Sequence, residues 1–261
     1  MSRKKNNKQS DFDFLTESAY INDKYDEIKK NGINETLSTL PEIKIIAKNE
    51  SQKNLIVSIK NNEITICAGR AGTGKTYVAL GIALGLIRKN NEYEKLYLVK
   101  SVKTLKEEEL GFLKGQLMDK LEPVMQSFFL NIKKLISSKL MGNLITNEVI
   151  IPFPVAFMRG VTLDDCIIVV DEVQNITIDN IRTIMTRIGT NCKLIILGDY
   201  NQIDLENKNE SSLKPLLEMF TDVDKIGVIN MSDEDENVRN PLIKTIEEKF
   251  NKYKENNKRK H

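Results

Sequence analysis

The segment Gly69-Arg70-Ala71-Gly72-Thr73-Gly74-Lys75-Thr76 constrains this chain more than any other. It follows the apolar run Ile64-Thr65-Ile66-Cys67-Ala68 and precedes Val78, Ala79, Ala83, Leu84 and Ile87, which recur at helical spacing. A buried strand therefore turns on glycines into a helix. The spacing is G-x-x-x-x-G-K-[ST], in which successive backbone N–H groups face inward and cradle phosphate oxygens. The start of the helix adds its positive end. Within that frame Lys75 reaches the β- and γ-phosphates and the Thr76 hydroxyl holds Mg²⁺, with Tyr77 directly following.

Apolar runs at Leu96 to Val99, Cys166 to Val170, Lys193 to Leu197 and Ile226 to Ile229 read as further strands, with helical stretches between them. This order predicts an α/β fold, a three-layer core with a mainly parallel five-stranded sheet. Residues 1–40 are polar and poorly periodic and read as a variable extension. Residues 41–250 form the phosphate-loop domain and 251–261 a basic tail. Residues 104–157 read as an insert, mainly helical, interrupted at Gly111, Gly115 and Pro123. It closes on a β-prone stretch that Pro152 and Pro154 make edge-like. Thr177 is placed to cap a helix whose buried face carries Ile178, Ile181, Met185 and Ile188. An acidic loop at 233–236 and a final helix from about Pro241 complete the pattern.

Composition narrows the chemistry. Lys plus Arg number 39 against 37 Asp plus Glu, a net charge of +2, which is too balanced for a protein that coats nucleic acid by bulk attraction. A local basic groove remains compatible with that balance. The only histidine is the last residue, His261, so imidazole acid–base chemistry is excluded. Cys67, Cys166 and Cys192 lie in or beside strand-like runs and lack zinc-ligand spacing. No stretch is long enough to span a bilayer and no apolar leader is visible, so a soluble, cytoplasmic protein is expected.

Polar residues just beyond strand ends converge on the ligand crevice of a parallel sheet. Asp171 and Glu172 follow one such strand. Asp171 is placed to hold Mg²⁺, and Glu172 to activate an attacking water. Gln174 is placed to couple the γ-phosphate to the next helix. Beyond Leu197, Gly198-Asp199-Tyr200-Asn201-Gln202 offers Gln202 to the γ-phosphate or the water, and Asp199 to orient the loop. Upstream, Asn49 and Gln52 precede the phosphate loop, and a Gln amide can donate to and accept from an adenine edge. That would favour ATP.

These segments together resemble the PhoH-like family of P-loop ATPases, whose core is similar to the first motor domain of superfamily 1 helicases. Gly69 to Tyr77 looks like its phosphate loop, and Leu110-Gly111-Phe112-Leu113-Lys114-Gly115-Gln116-Leu117 resembles its Leu-Gly-Phe-Leu-Pro-Gly segment. Phe157-Met158-Arg159-Gly160-Val161-Thr162-Leu163, Asp171-Glu172-Val173-Gln174-Asn175, Gly198 to Leu205 and Val238-Arg239-Asn240-Pro241-Leu242 continue the likeness. The chain departs from the family pattern at Lys100, Ser101, Lys114, Tyr200 and Asn240. A short chain rich in Asn and Lys is also similar to versions carried by phages.

The resemblance implies a RecA-like core, Mg-dependent ATP hydrolysis, coupling to single-stranded RNA or DNA, and a homo-oligomeric ring of six subunits. It places Asn49 and Gln52 at an adenine-recognition element. Superfamily 1 helicases close the ATP site with a second motor domain, which this chain has no room for. Arg159, Arg187 and Arg239 are the candidates to complete it, Arg239 within the chain and Arg187 across a subunit contact. Lys103, Thr104, Met158 and Arg159 are the candidate nucleic-acid face. Two other readings stand beside this helicase-like motor. One is an ATP-driven protein-interaction switch with no nucleic-acid partner, which the balanced charge accommodates. The other is a small-molecule kinase, disfavoured by Glu172.

Overall fold

The computed structural model describes residues 32–33, 35–89, 92–101 and 114–231, with isolated positions between 242 and 253. Lys103, Thr104, the acidic loop at 233–236 and Arg239 lie outside the described residues.

The elements run α1 (Glu50–Asn61), β1 (Ile64–Ala68), α2 (Lys75–Lys89), β2 (Lys95–Lys100), α3 (Lys114–Ile132) and α4 (Ser138–Thr146). They continue as β3 (Ile150–Pro152), β4 (Cys166–Asp171), α5 (Ile178–Met185), β5 (Cys192–Gly198), α6 (Leu213–Met219) and β6 (Ile226–Asn230). The fold is mixed α/β around one six-stranded sheet in the order β3-β2-β4-β5-β1-β6. Every pairing within it is parallel. The expected five strands become six because Ile150–Pro152, the edge-like stretch of the insert, pairs with Leu96–Leu98 of β2. Pro152 is tolerated there because β3 has a neighbour on one side only.

Residues of each central strand alternate between two hydrophobic clusters. Ile167, Val169, Ile195 and Leu197 join one, which also takes in residues of α1–α4. Ile168, Val170, Leu194 and Ile196 join the other, with residues of α5 and α6. A parallel sheet covered on both faces needs such continuous apolar strands, and β4 is buried throughout. Cys166 and Cys192 pair in register across β4 and β5, their sulfurs 3.5 Å apart, and Cys67 is buried in the first cluster.

Four local expectations change. The helix expected to break at Pro123 runs through it, because Leu121, Met125, Phe128 and Ile132 anchor its face in the core. Residues assigned to the polar extension contribute to that core as well: Ile33 and Leu40 are buried, and Arg88 Nε donates to the Leu40 carbonyl at 2.8 Å. On α5, Ile181 and Ile184 are the buried residues, whereas Ile178 at its first position is exposed. Thr177 occupies the N-cap position without a side-chain bond. No described helix is long and apolar enough to cross a membrane.

Phe128 is a fully buried side chain that ties α3 to the sheet. Phe128→Ala should therefore destabilise the fold by about 3–5 kcal/mol, read from urea unfolding of the two proteins.

Candidate functional site: a phosphate loop beneath three strand tips

The loop between β1 and α2 takes its shape from two glycines. Gly72 and Gly74 have φ of 86° and 84°, a left-handed conformation that side chains resist. The loop is tied to the neighbouring strand where Gly69 N–H donates to the Gly198 carbonyl at 3.1 Å. Helix α2 then begins at Lys75, so its unpaired N–H groups face the loop. The Lys75 ammonium is buried and donates to the carbonyls of Gly69 and Arg70 at 2.6 and 2.8 Å. A phosphate oxygen would compete for those same donors.

Across the cleft, the Thr76 hydroxyl donates to Asp171 Oδ2 at 3.0 Å. The two residues lie 95 apart in sequence and come from α2 and the tip of β4. A hydroxyl and a carboxylate brought together beside a phosphate cradle are hard oxygen donors, and they fit Mg²⁺. Glu172 follows with φ 58° and ψ 39°, a left-handed backbone that re-aims its side chain at the strand end. Its N–H donates to Asp171 Oδ1 at 3.0 Å. Burial pushes the Glu172 carboxyl above its ordinary pKa, and the Asp171 charge adds to the rise. The Lys100 ammonium and the Gln174 amide pull the other way.

Gln174 is fully buried and joins two strand-tip loops. Its amide nitrogen donates to Glu172 Oε2 and to the Gln202 carbonyl, and its oxygen accepts from Asp199 N–H at 2.9 Å. Asp199 in turn holds Asn201 N–H at 2.8 Å. The Asn175 side chain accepts from Asp204 N–H at 2.7 Å. The segment after β5 is thus fastened to the segment after β4 by side-chain amides and carboxylates.

These groups line a cavity of about 660 Å³. Ala71, Gly72, Gly74, Lys75, Thr76 and Tyr77 come from the loop and α2, and Asp171, Glu172, Asp199 and Gln202 from the strand tips. Gln52 lines it too. Asn49 caps α1 by accepting from Gln52 N–H at 2.8 Å. The Gln52 amide accepts from Lys48 N–H and donates to the Thr73 carbonyl, leaving one N–H and one lone pair. The motifs leave out Ile46, Lys48, Asn131 and Lys134, which also line the cavity. Lys100, noted in sequence only as a departure from the family pattern, has its Nζ 4.0 Å from Glu172 Oε1. Asn131 and Lys134 come from the insert, where composition carries no signal of proximity to the loop.

Two expected residues are elsewhere. Met158 is fully buried in the second core cluster, which corrects its assignment to a nucleic-acid face: packing leaves it no surface. Arg159 beside it is exposed. Arg187 accepts from Leu163 N–H at its carbonyl, near the end of the sheet where β4 begins and away from the strand tips that meet the phosphate loop. Within one chain it does not line the cavity.

Fold and site define a P-loop nucleotide-binding core. The PhoH-like protein family model matches residues 44–251, and the chain belongs to this family. It is 34% identical over 208 residues to a PhoH-like protein of Bacillus subtilis, covering 80% of this chain and 64% of that protein. It is 33% identical over 204 residues to one of Synechocystis sp., covering 78% and 61%. The chain thus spans less than two thirds of the length of these relatives. Among solved structures, the large terminase of a thermophilic bacteriophage aligns over 73% of this chain and 46% of its own, at 12% identity and a TM-score of 0.43.

Gln174→Ala would strand the Asp199 N–H among buried groups. Stability should fall by about 1–3 kcal/mol, measured by urea denaturation of the variant against the parent chain.

Proposed function

We propose that this chain is a Mg-dependent ATPase on a three-layer, RecA-like core, and that hydrolysis is coupled to binding or remodelling of single-stranded RNA or DNA. The observation that carries the ATPase reading is the Thr76–Asp171 contact, with Glu172 turned into the same cavity. Family membership supports it.

The chemistry follows from the positions. Loop N–H groups and Lys75 hold the β- and γ-phosphates. Mg²⁺ held at Thr76 and Asp171 would neutralise charge on those phosphates. Glu172 accepts the proton of a water in line with the γ-phosphate. Gln202, which also lines the cavity, hydrogen-bonds that water or the phosphate. Gln174 passes the change to the segments after β4 and β5. Gln52, with one donor and one acceptor left, reads the adenine edge beside Asn49.

Nucleic-acid coupling draws on the sequence likeness to helicase motors and on exposed Arg159, with Lys103 and Thr104 remaining candidates from the sequence alone. Arg187 lies away from its own chain's cavity, so in a ring of six subunits it serves a neighbour's phosphates. Arg239 is the candidate to sense phosphate state within the chain.

Phosphate release should be measured with and without single-stranded RNA and DNA at low salt. Glu172→Gln should keep ATP affinity and lose about 10²–10⁴-fold in turnover. Full turnover of that variant would remove the proton-acceptor role. Strong stimulation by either nucleic acid supports the motor. Hydrolysis indifferent to both would transfer the reading to a protein-interaction switch, and phosphorylation of a metabolite would transfer it to a kinase. If Arg187 acts in trans, mixing Arg187→Ala chains with wild-type chains should lower activity beyond simple dilution. A strictly linear mixing curve would refute that role.

A further inference from the structure

Glu172 is approached from outside the cavity lining by Lys100, a position singled out above only as a departure from the family pattern. Lys100 ends β2 and stands in register with Asp171 of β4, so its side chain emerges beside the acidic pair. It is not part of the cavity wall. Its Nζ donates to Ser127 Oγ of α3 at 3.0 Å and lies 4.0 Å from Glu172 Oε1. The other carboxylate oxygen, Oε2, accepts from the Gln174 amide. One oxygen of Glu172 thus accepts a hydrogen bond from Gln174, while the other faces the Lys100 ammonium as a longer ion pair.

We propose that Lys100, held by Ser127, is a positioning residue that sets the Glu172 carboxylate for the attacking water and ties it to the helical insert. This inference rests on the proton-acceptor role of Glu172. An ammonium offers three N–H groups on a flexible stem, so something must choose its direction. The Ser127 hydroxyl does so. The tie extends one turn along α3, where Asn131 donates its side-chain N–H to the Ser127 carbonyl at 2.8 Å and itself lines the cavity. One face of the insert thus touches both the nucleotide cavity and the lysine behind the hydrolytic carboxylate. At 31% side-chain exposure Glu172 is only partly held by burial, and its aim depends on these donors.

The test is a double-mutant cycle on the full chain, reading steady-state hydrolysis and binding of a fluorescent ATP analogue. Lys100→Met should lower kcat by about 10–10²-fold, the order expected when a reacting group is misaimed by about an ångström, with analogue affinity within about threefold of wild type. Lys100→Arg should restore most of the rate, and Ser127→Ala should give a smaller loss in the same direction. Placed on Glu172→Gln, Lys100→Met should cost nothing further in residual rate or affinity. Unchanged kcat in Lys100→Met would overturn the inference. So would an equal loss in the Glu172→Gln background, or a parallel loss of analogue affinity. If Glu172→Gln itself hydrolyses at full rate, the proton-acceptor reading fails first, and a Lys100→Met defect then has another cause.

Discussion

A single hydrogen bond, from the Thr76 hydroxyl to Asp171, joins residues that follow two strands not adjacent in the sheet, and the proposed metal position depends on it. β5 lies between β1 and β4, so a loop leaving β1 must reach past it to meet the β4 tip. The two glycines at positive φ let the loop fold back, and α2 then starts with its N–H groups turned toward the acid. That contact sets the hydroxyl and the carboxylate side by side, next to Lys75 and Glu172 in the same cavity lining.

The strand ends are held in place by apolar packing on both faces of the sheet, while their polar tips are held by one another. Gln174 is the centre of this second system. A buried amide with its donors and acceptor engaged adds specificity more than raw stability, because the penalty falls on any arrangement that leaves its partners unpaired. The left-handed backbone at Glu172 belongs to the same system. Strain at one residue is carried by bonds to Asp171 and Gln174.

Much of this was legible in the chain itself. The phosphate loop is a local motif, and both Asp171 and Gln202 follow apolar strands whose ends a parallel sheet must gather at one edge. Asn49 at a helix start and the buried run at 166–170 likewise depend on near neighbours in sequence. What escaped depends on long-range packing. Pro123 signals a break by itself, but its helix is fixed by four buried apolar side chains. Met158 sits between exposed Phe157 and Arg159, and only the folded chain shows it turning inward. Lys100 stands out in sequence only as a departure from the family pattern, and its place beside the acidic pair appears once β2 is paired with β4. Ile150–Pro152 was legible as a β-prone, edge-like stretch, but not its pairing with β2 as a sixth strand.

The central claim is that a Mg-triphosphate is the ligand of this strand-tip cavity. Thermal unfolding of the folded chain titrated with ATP, with Mg²⁺ and with excess chelator, tests it most directly. A ligand bound only by the native state raises the melting temperature by mass action. The account predicts a saturable rise with Mg-ATP, a smaller one under chelator and none in Lys75→Ala. A melting temperature indifferent to Mg-ATP in the native chain would contradict it.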